Sequence, residues 1–179
     1  DLGGARGLLA DKGVQFGIDW NNTVQSVVSG GRDKDTAYGG TLDYNLSLDL
    51  MRMGLVPGGL LKFRGESRYG DSVNLDAGPL LPVGSDFYFP LANAPDEDVP
   101  IYLTTLSYTQ FFSENFAVYF GKFDTLDGDG TEFASGRGLT QFQNLNFVFN
   151  PAPLVTVPYS TLGGGIVFKP ATNVSVSSS

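Results

Sequence analysis

Two consecutive stretches of the chain alternate apolar and polar residues for longer than an ordinary strand lasts. Over residues 14–28 the even positions are Val14, Phe16, Ile18, Trp20, Asn22, Val24, Ser26 and Val28. The odd positions are Gln15, Gly17, Asp19, Asn21, Thr23, Gln25 and Val27. After a polar turn over residues 29–36, Tyr38, Gly40, Leu42, Tyr44, Leu46, Leu48 and Leu50 alternate with Ala37, Gly39, Thr41, Asp43, Asn45, Ser47 and Asp49. Successive side chains of a strand point to opposite faces, so each stretch reads as one strand with an apolar and a polar face. Globular strands are usually about 5–6 residues long, whereas a tilted strand crossing a bilayer needs about 9–11. Both stretches exceed that length. A third strand over residues 59–69 sets Leu61, Phe63, Gly65, Ser67 and Tyr69 against Lys62, Arg64, Glu66 and Arg68. A soluble sandwich would turn those successive charges to bulk water; a porin would turn them to its lumen.

The remaining chain reads as four more strands. Residues 101–112 carry apolar side chains on both faces and cannot be oriented; residues 116–124 are equally ambiguous. Residues 161–169 place Leu162, Ile166 and Phe168 on one face, and a seventh strand runs from Asn173. The connections after the second, fourth and sixth strands are short, with Pro57 and Gly58 marking the first of them. Those after the third and fifth, residues 70–100 and 125–159, are long. Short periplasmic turns alternating with long external loops are expected of an outer-membrane barrel, and put the N-terminus on the periplasmic side. Residues 1–13 read as a short periplasmic helix ended by Gly13, and residues 14–179 as the N-terminal part of a barrel. No signal peptide is read in the first twelve residues. Lipid offers no partner for an open sheet edge, bacterial barrels use an even strand count, and no terminal aromatic follows Ser177. These residues are therefore expected to be roughly the first half of a larger barrel.

Several functions are unsupported by composition. The chain has no Cys and no His, so it holds no disulfide, no His-ligated zinc and no Ser-His-Asp triad of its own. We expect no enzyme, metal or cofactor. A net charge of −8, spread along the chain, argues against nucleic acid. The uncharged stretch 138–168 is too polar and too broken by Pro151 and Pro153 to span as a helix. The segment Asp124 to Glu132 is rich in carboxylates but fails the EF-hand spacing, because Thr125 and Gly136 fall at its first and twelfth ligand positions. A plain Asp-Gly loop is expected there.

Several short motifs, in order, resemble the carbohydrate-selective (OprB-type) porins. They are Gly3-Gly4-Ala5-Arg6 leading to Lys12-Gly13-Val14, then the turn Gly54-Leu55-Val56-Pro57-Gly58-Gly59. The strand end Gly121-Lys122-Phe123-Asp124, Phe133-Ala134 and Phe142-Gln143-Asn144 follow. The resemblance covers nearly the whole chain and the N-terminal part of the family domain. It implies an all-β, antiparallel transmembrane β-barrel of about sixteen strands when complete, of which this chain supplies roughly the first seven. It also implies passive sugar uptake through the outer membrane, with external loops narrowing the pore.

A sugar-selective constriction needs donors and acceptors, often Arg opposite a carboxylate, beside an aromatic platform. Lys62, Arg64, Glu66 and Arg68 are the leading candidates, with Lys122, Asp124 and Arg137 behind them. Simple solvation of the lumen explains any one of these charges equally well. Asp19, Asp43 and Asp49 are expected to wet the lumen wall. Trp20, Tyr38 and Tyr44 are expected outside, Trp20 and Tyr38 either at the aromatic girdles or as ordinary lipid-facing residues. The partners expected are outer-membrane lipid, small sugars and a homotrimer. The alternative reading is a soluble or surface-exposed β-sandwich that binds a partner or has a structural envelope role. A barrel lipase would need its triad from elsewhere, and an anchoring barrel is not distinguished from a transporting one.

Overall fold

The computed structural model describes residues 2–85, 88–90, 98–125, 136, 139–148, 156, 158–171 and 174–178. A turn of 3-10 helix leads into α1 (Ala5–Asp11), followed by β1 (Val14–Ser26), β2 (Thr36–Asp49) and β3 (Gly59–Gly70). After them come α2 (Asn74–Ala77), β4 (Val99–Ser113), β5 (Phe116–Asp124), α3 (Leu145–Val148), β6 (Ser160–Ala171) and β7 (Val174–Ser178). The seven strands form one antiparallel sheet in chain order. That is the architecture the alternation predicts, with strands close to the expected bounds. The β-sandwich reading is not met: among the described residues all seven strands lie in one sheet.

Register aligns the apolar residues across the sheet. Phe16, Leu46, Phe63 and Leu106 stand side by side on β1 to β4. Ile18, Trp20, Tyr38, Leu103, Leu106, Phe120, Leu162, Ile166 and Phe168 are exposed. Such a face is stable only against a large apolar neighbour. The opposite face is polar, and residues from the two long connections cover it. Ala37, Thr41 and Asp43 on β2, and Glu66 and Arg68 on β3, are buried there.

A small apolar core therefore lies inside the sheet. Phe89, Leu145 and Tyr159 form its centre, with Leu81, Tyr88 and Tyr102 against them. The Leu145 N–H donates to Pro82 O at 3.0 Å and the Ser85 N–H to Gln143 O at 2.6 Å, tying the two long connections together. Gln25 Nε2 donates to Gln143 Oε1 at 2.6 Å, tying them to β1. The β1–β2 connection joins the same end, where the Arg32 and Asp33 N–H groups donate to Asp76 O at 2.6 and 3.1 Å.

The ambiguity of the fourth strand has a structural cause. Its pairing with β3 shifts register twice, between Arg64 and Gly65 and between Glu66 and Arg68. The first shift inserts Thr104, so Tyr102 and Thr105 face inward while Ile101, Leu103 and Leu106 face out. A β-bulge adds one residue and breaks the period of two. Thr104 is fully buried, and its Oγ1 donates to Arg64 O at 3.2 Å.

Candidate functional site

The inner face carries its charges in one row. Asp19, Asp43, Glu66 and Tyr102 stand opposite one another across β1 to β4. Arg64, in the next row of β3, reaches back into it. Its Nη2 lies 3.4 Å from Asp43 Oδ1, its Nε 3.2 Å from Glu66 Oε1, and its Nη1 3.9 Å from Asp124 Oδ2. The Nε–H is not aligned on Glu66, so that contact is an ion pair rather than a hydrogen bond. The carboxylates of Asp43, Glu66 and Asp124 are almost wholly buried, and the Arg64 side chain is 19% exposed. Three strands thus converge on one guanidinium, whose planar fork suits several carboxylates at once.

An aromatic stack stands beside this cluster. The Tyr159 ring is stacked with Phe89 and with Tyr102, each with centroids 5.5 Å apart. The Tyr159 hydroxyl donates to Glu66 Oε2 at 2.5 Å. The Lys122 ammonium sits 4.6 Å from the centre of the Tyr102 ring and donates to Leu103 O at 2.7 Å. By register Lys122 shares a face with Leu106 and Leu162. The β4–β5 pairing ends at Leu106 and Lys122, however, while β3–β4 continues to Arg68 and Val99. The released edge of β4 is where Lys122 turns, and where Ser160 Oγ donates to Thr104 O at 3.0 Å.

Gly121 makes that seam possible. Its φ is +145, and a Cβ there would meet Leu106 O at 2.2 Å. Gly121→Ala should separate β5 from β4 and cost about 1–3 kcal/mol of stability through strain. Urea titration in lipid vesicles measures this; an unchanged midpoint would show that the seam tolerates a side chain.

The remaining expected residues fall as follows. Lys62 is exposed, and Arg68 is buried on the same strand. Asp19 is exposed on β1. Asp49 lies at the rim, where Oδ1 accepts the N–H groups of Met51 and Arg52 and Oδ2 lies 3.3 Å from Arg52 Nε. It thus caps the β2–β3 turn. Arg137, Phe133-Ala134 and residues 126–132 of the carboxylate-rich loop lie outside the described residues. Tyr102, Tyr159 and Phe89 were not expected from the sequence. Tyr102 is hidden by the bulge beside it, and the other two sit in irregular chain with no period to reveal them.

The carbohydrate-selective porin (OprB) family model matches residues 33–178. The chain belongs to the OprB family. This OprB-family chain is part of an outer-membrane β-barrel. The high-pH structure of OprB from Pseudomonas putida superposes with a TM-score of 0.73 at 24% identity. The match covers 99% of this chain and 42% of the solved one, so the chain spans less than half the length of that structure. No curated protein matches it.

Proposed function

We propose that this chain forms part of the wall and constriction of a channel that passes small carbohydrates across the outer membrane by passive diffusion. The observation that carries the reading is the charged inner face of the sheet, where the exposed Asp19 stands on β1 and the exposed Lys62 and partly exposed Arg64 on β3. Sugars present hydroxyls to charged donors and acceptors. No catalytic step is assigned to the chain. Its apolar face meets outer-membrane lipid, with Trp20 and Tyr38 at the girdle. A homotrimer is the proposed assembly, and cross-linking in native membranes tests it.

Liposome swelling with sugars of increasing size tests the reading directly. Swelling that falls with sugar size, and exceeds that of protein-free vesicles, is the expected result; no swelling with any sugar would end it. Lys62, Arg68 and Lys122 are proposed as wall charges. Lys62→Ala should move ion selectivity toward cations by roughly twofold at 0.1 M salt, where screening acts over about 10 Å. Reversal potentials across a planar bilayer measure it. An unchanged value would place Lys62 away from the ion path.

A further inference from the structure

We propose that Glu66 is a positioning residue, which holds both inward segments against the wall through Tyr159 and does not itself meet the solute. The proposal rests on the channel reading above. Glu66 is only 2% exposed. One of its oxygens accepts the Tyr159 hydroxyl and the other faces Arg64 Nε. A carboxylate that selects sugars must offer an oxygen to the water-filled path; both oxygens here are directed at protein groups.

Tyr159 is where the inward segments meet the sheet. It directly precedes β6, and its carbonyl accepts the Thr125 N–H at 3.1 Å. Both ends of the β5–β6 excursion are thereby held at one residue. Its ring is stacked with Phe89, which belongs to the β3–β4 connection, and with Tyr102 of the wall. The planes are inclined by 26° and 27°, so each ring meets Tyr159 face to face rather than edge-on. Phe89, Tyr102 and Tyr159 thus join two excursions and a strand, and the Glu66–Tyr159 bond fixes the stack laterally. Packed rings alone can slide, whereas a hydrogen bond to a charged acceptor is directional. The Arg64 ion pair in turn holds the Glu66 carboxylate toward β2 and β5. The position of Tyr159, and with it Phe89, against the wall follows from Glu66.

Single-channel recording of the protein in planar bilayers tests this with Tyr159→Phe, Glu66→Gln, Glu66→Ala and the double variant Tyr159→Phe/Glu66→Ala. Heat-dependent gel migration reports folding for each. Tyr159→Phe keeps the stack and removes only the hydroxyl. It should raise the occupancy of conductance substates roughly tenfold, the shift expected from losing one charge-assisted bond. Sugar half-block should stay within about twofold, because no solute contact is lost. Glu66→Gln keeps an oxygen that accepts from the phenol and should restore a quiet trace. The double variant should be no noisier than Glu66→Ala, because the two groups act as one unit. A quiet trace for Tyr159→Phe would overturn the proposal. So would a large shift of sugar half-block in Glu66→Gln with a quiet trace, since that would place the charge on the solute. A wild-type protein that carries no current would instead remove the channel reading itself.

Discussion

Replacing Arg64 by Ala is expected to destabilise the barrel wall by about 3–5 kcal/mol, the usual cost of removing one partner from a buried ion pair. The cost arises mainly from what remains. Asp43, Glu66 and Asp124 all approach this guanidinium, and their side chains are nearly excluded from water. Without the cation, like charges face one another in a poorly solvated site. The 19% exposure of Arg64 admits some screening, so the lower end of the range applies. Arg64→Lys should fall between wild type and Ala, because an ammonium keeps the charge but cannot present a fork to carboxylates on three strands. Urea unfolding in lipid vesicles gives the difference. A midpoint equal to wild type in Arg64→Ala would mean that water or other partners, rather than Arg64, satisfy the three carboxylates. The cluster would then be an ordinary lumen wall.

The second large effect is expected on the opposite face, at Gly40. Gly40 stands between Asn22 of β1 and Tyr69 of β3. The Tyr69 ring occupies the space a side chain would take: a Cβ at Gly40 would lie 2.5 Å from the Tyr69 hydroxyl and 2.3 Å from Asn21 O. The hydroxyl donates to Asn22 Oδ1 at 2.6 Å and accepts the Trp20 Nε1–H at 2.7 Å. Tyr38 donates to the same Asn22 oxygen at 2.8 Å. Trp and Tyr with apolar bodies and satisfied polar ends suit a membrane interface, where one side is lipid and the other is wet. Gly40→Val should expel the Tyr69 ring and break this network, at a cost of about 1–3 kcal/mol for overpacking. Trp20 is the only tryptophan in these 179 residues, so the difference in emission between variant and wild type reports the change without labelling. The emission maximum should move in Gly40→Val and, to a smaller degree, in Tyr69→Phe, which loses the hydroxyl but keeps the ring. Emission identical to wild type in both would show that Trp20 is held independently of Tyr69.

The first three strands were legible because nothing interrupts their period. Phe16, Leu46 and Phe63 fall in one row without any shift, so alternation alone assigns Asp43, Arg64 and Glu66 to the polar face. The fourth strand was not legible, since Thr104 and a second irregularity move its later residues out of phase. Tyr102 was missed for the same reason, being inward only once the bulge is known, whereas Phe89 and Tyr159 lie in irregular chain. Lys122 shows the opposite failure, because its register puts it among apolar residues while its ammonium reaches Leu103 O and the Tyr102 ring.

Alternation, strand length and the order of short and long connections were enough for an all-β, membrane-crossing sheet, because these are local properties that each strand carries in its own residues. Which charges meet was decided only in three dimensions. Arg64 faces Asp43, Glu66 and Asp124 because register and a bulge bring three strands together. Glu66 meets Tyr159 because two long connections fold back across the sheet. Contacts between residues so far apart in the chain depend on how irregular segments close over the wall, and no periodic pattern encodes that closure.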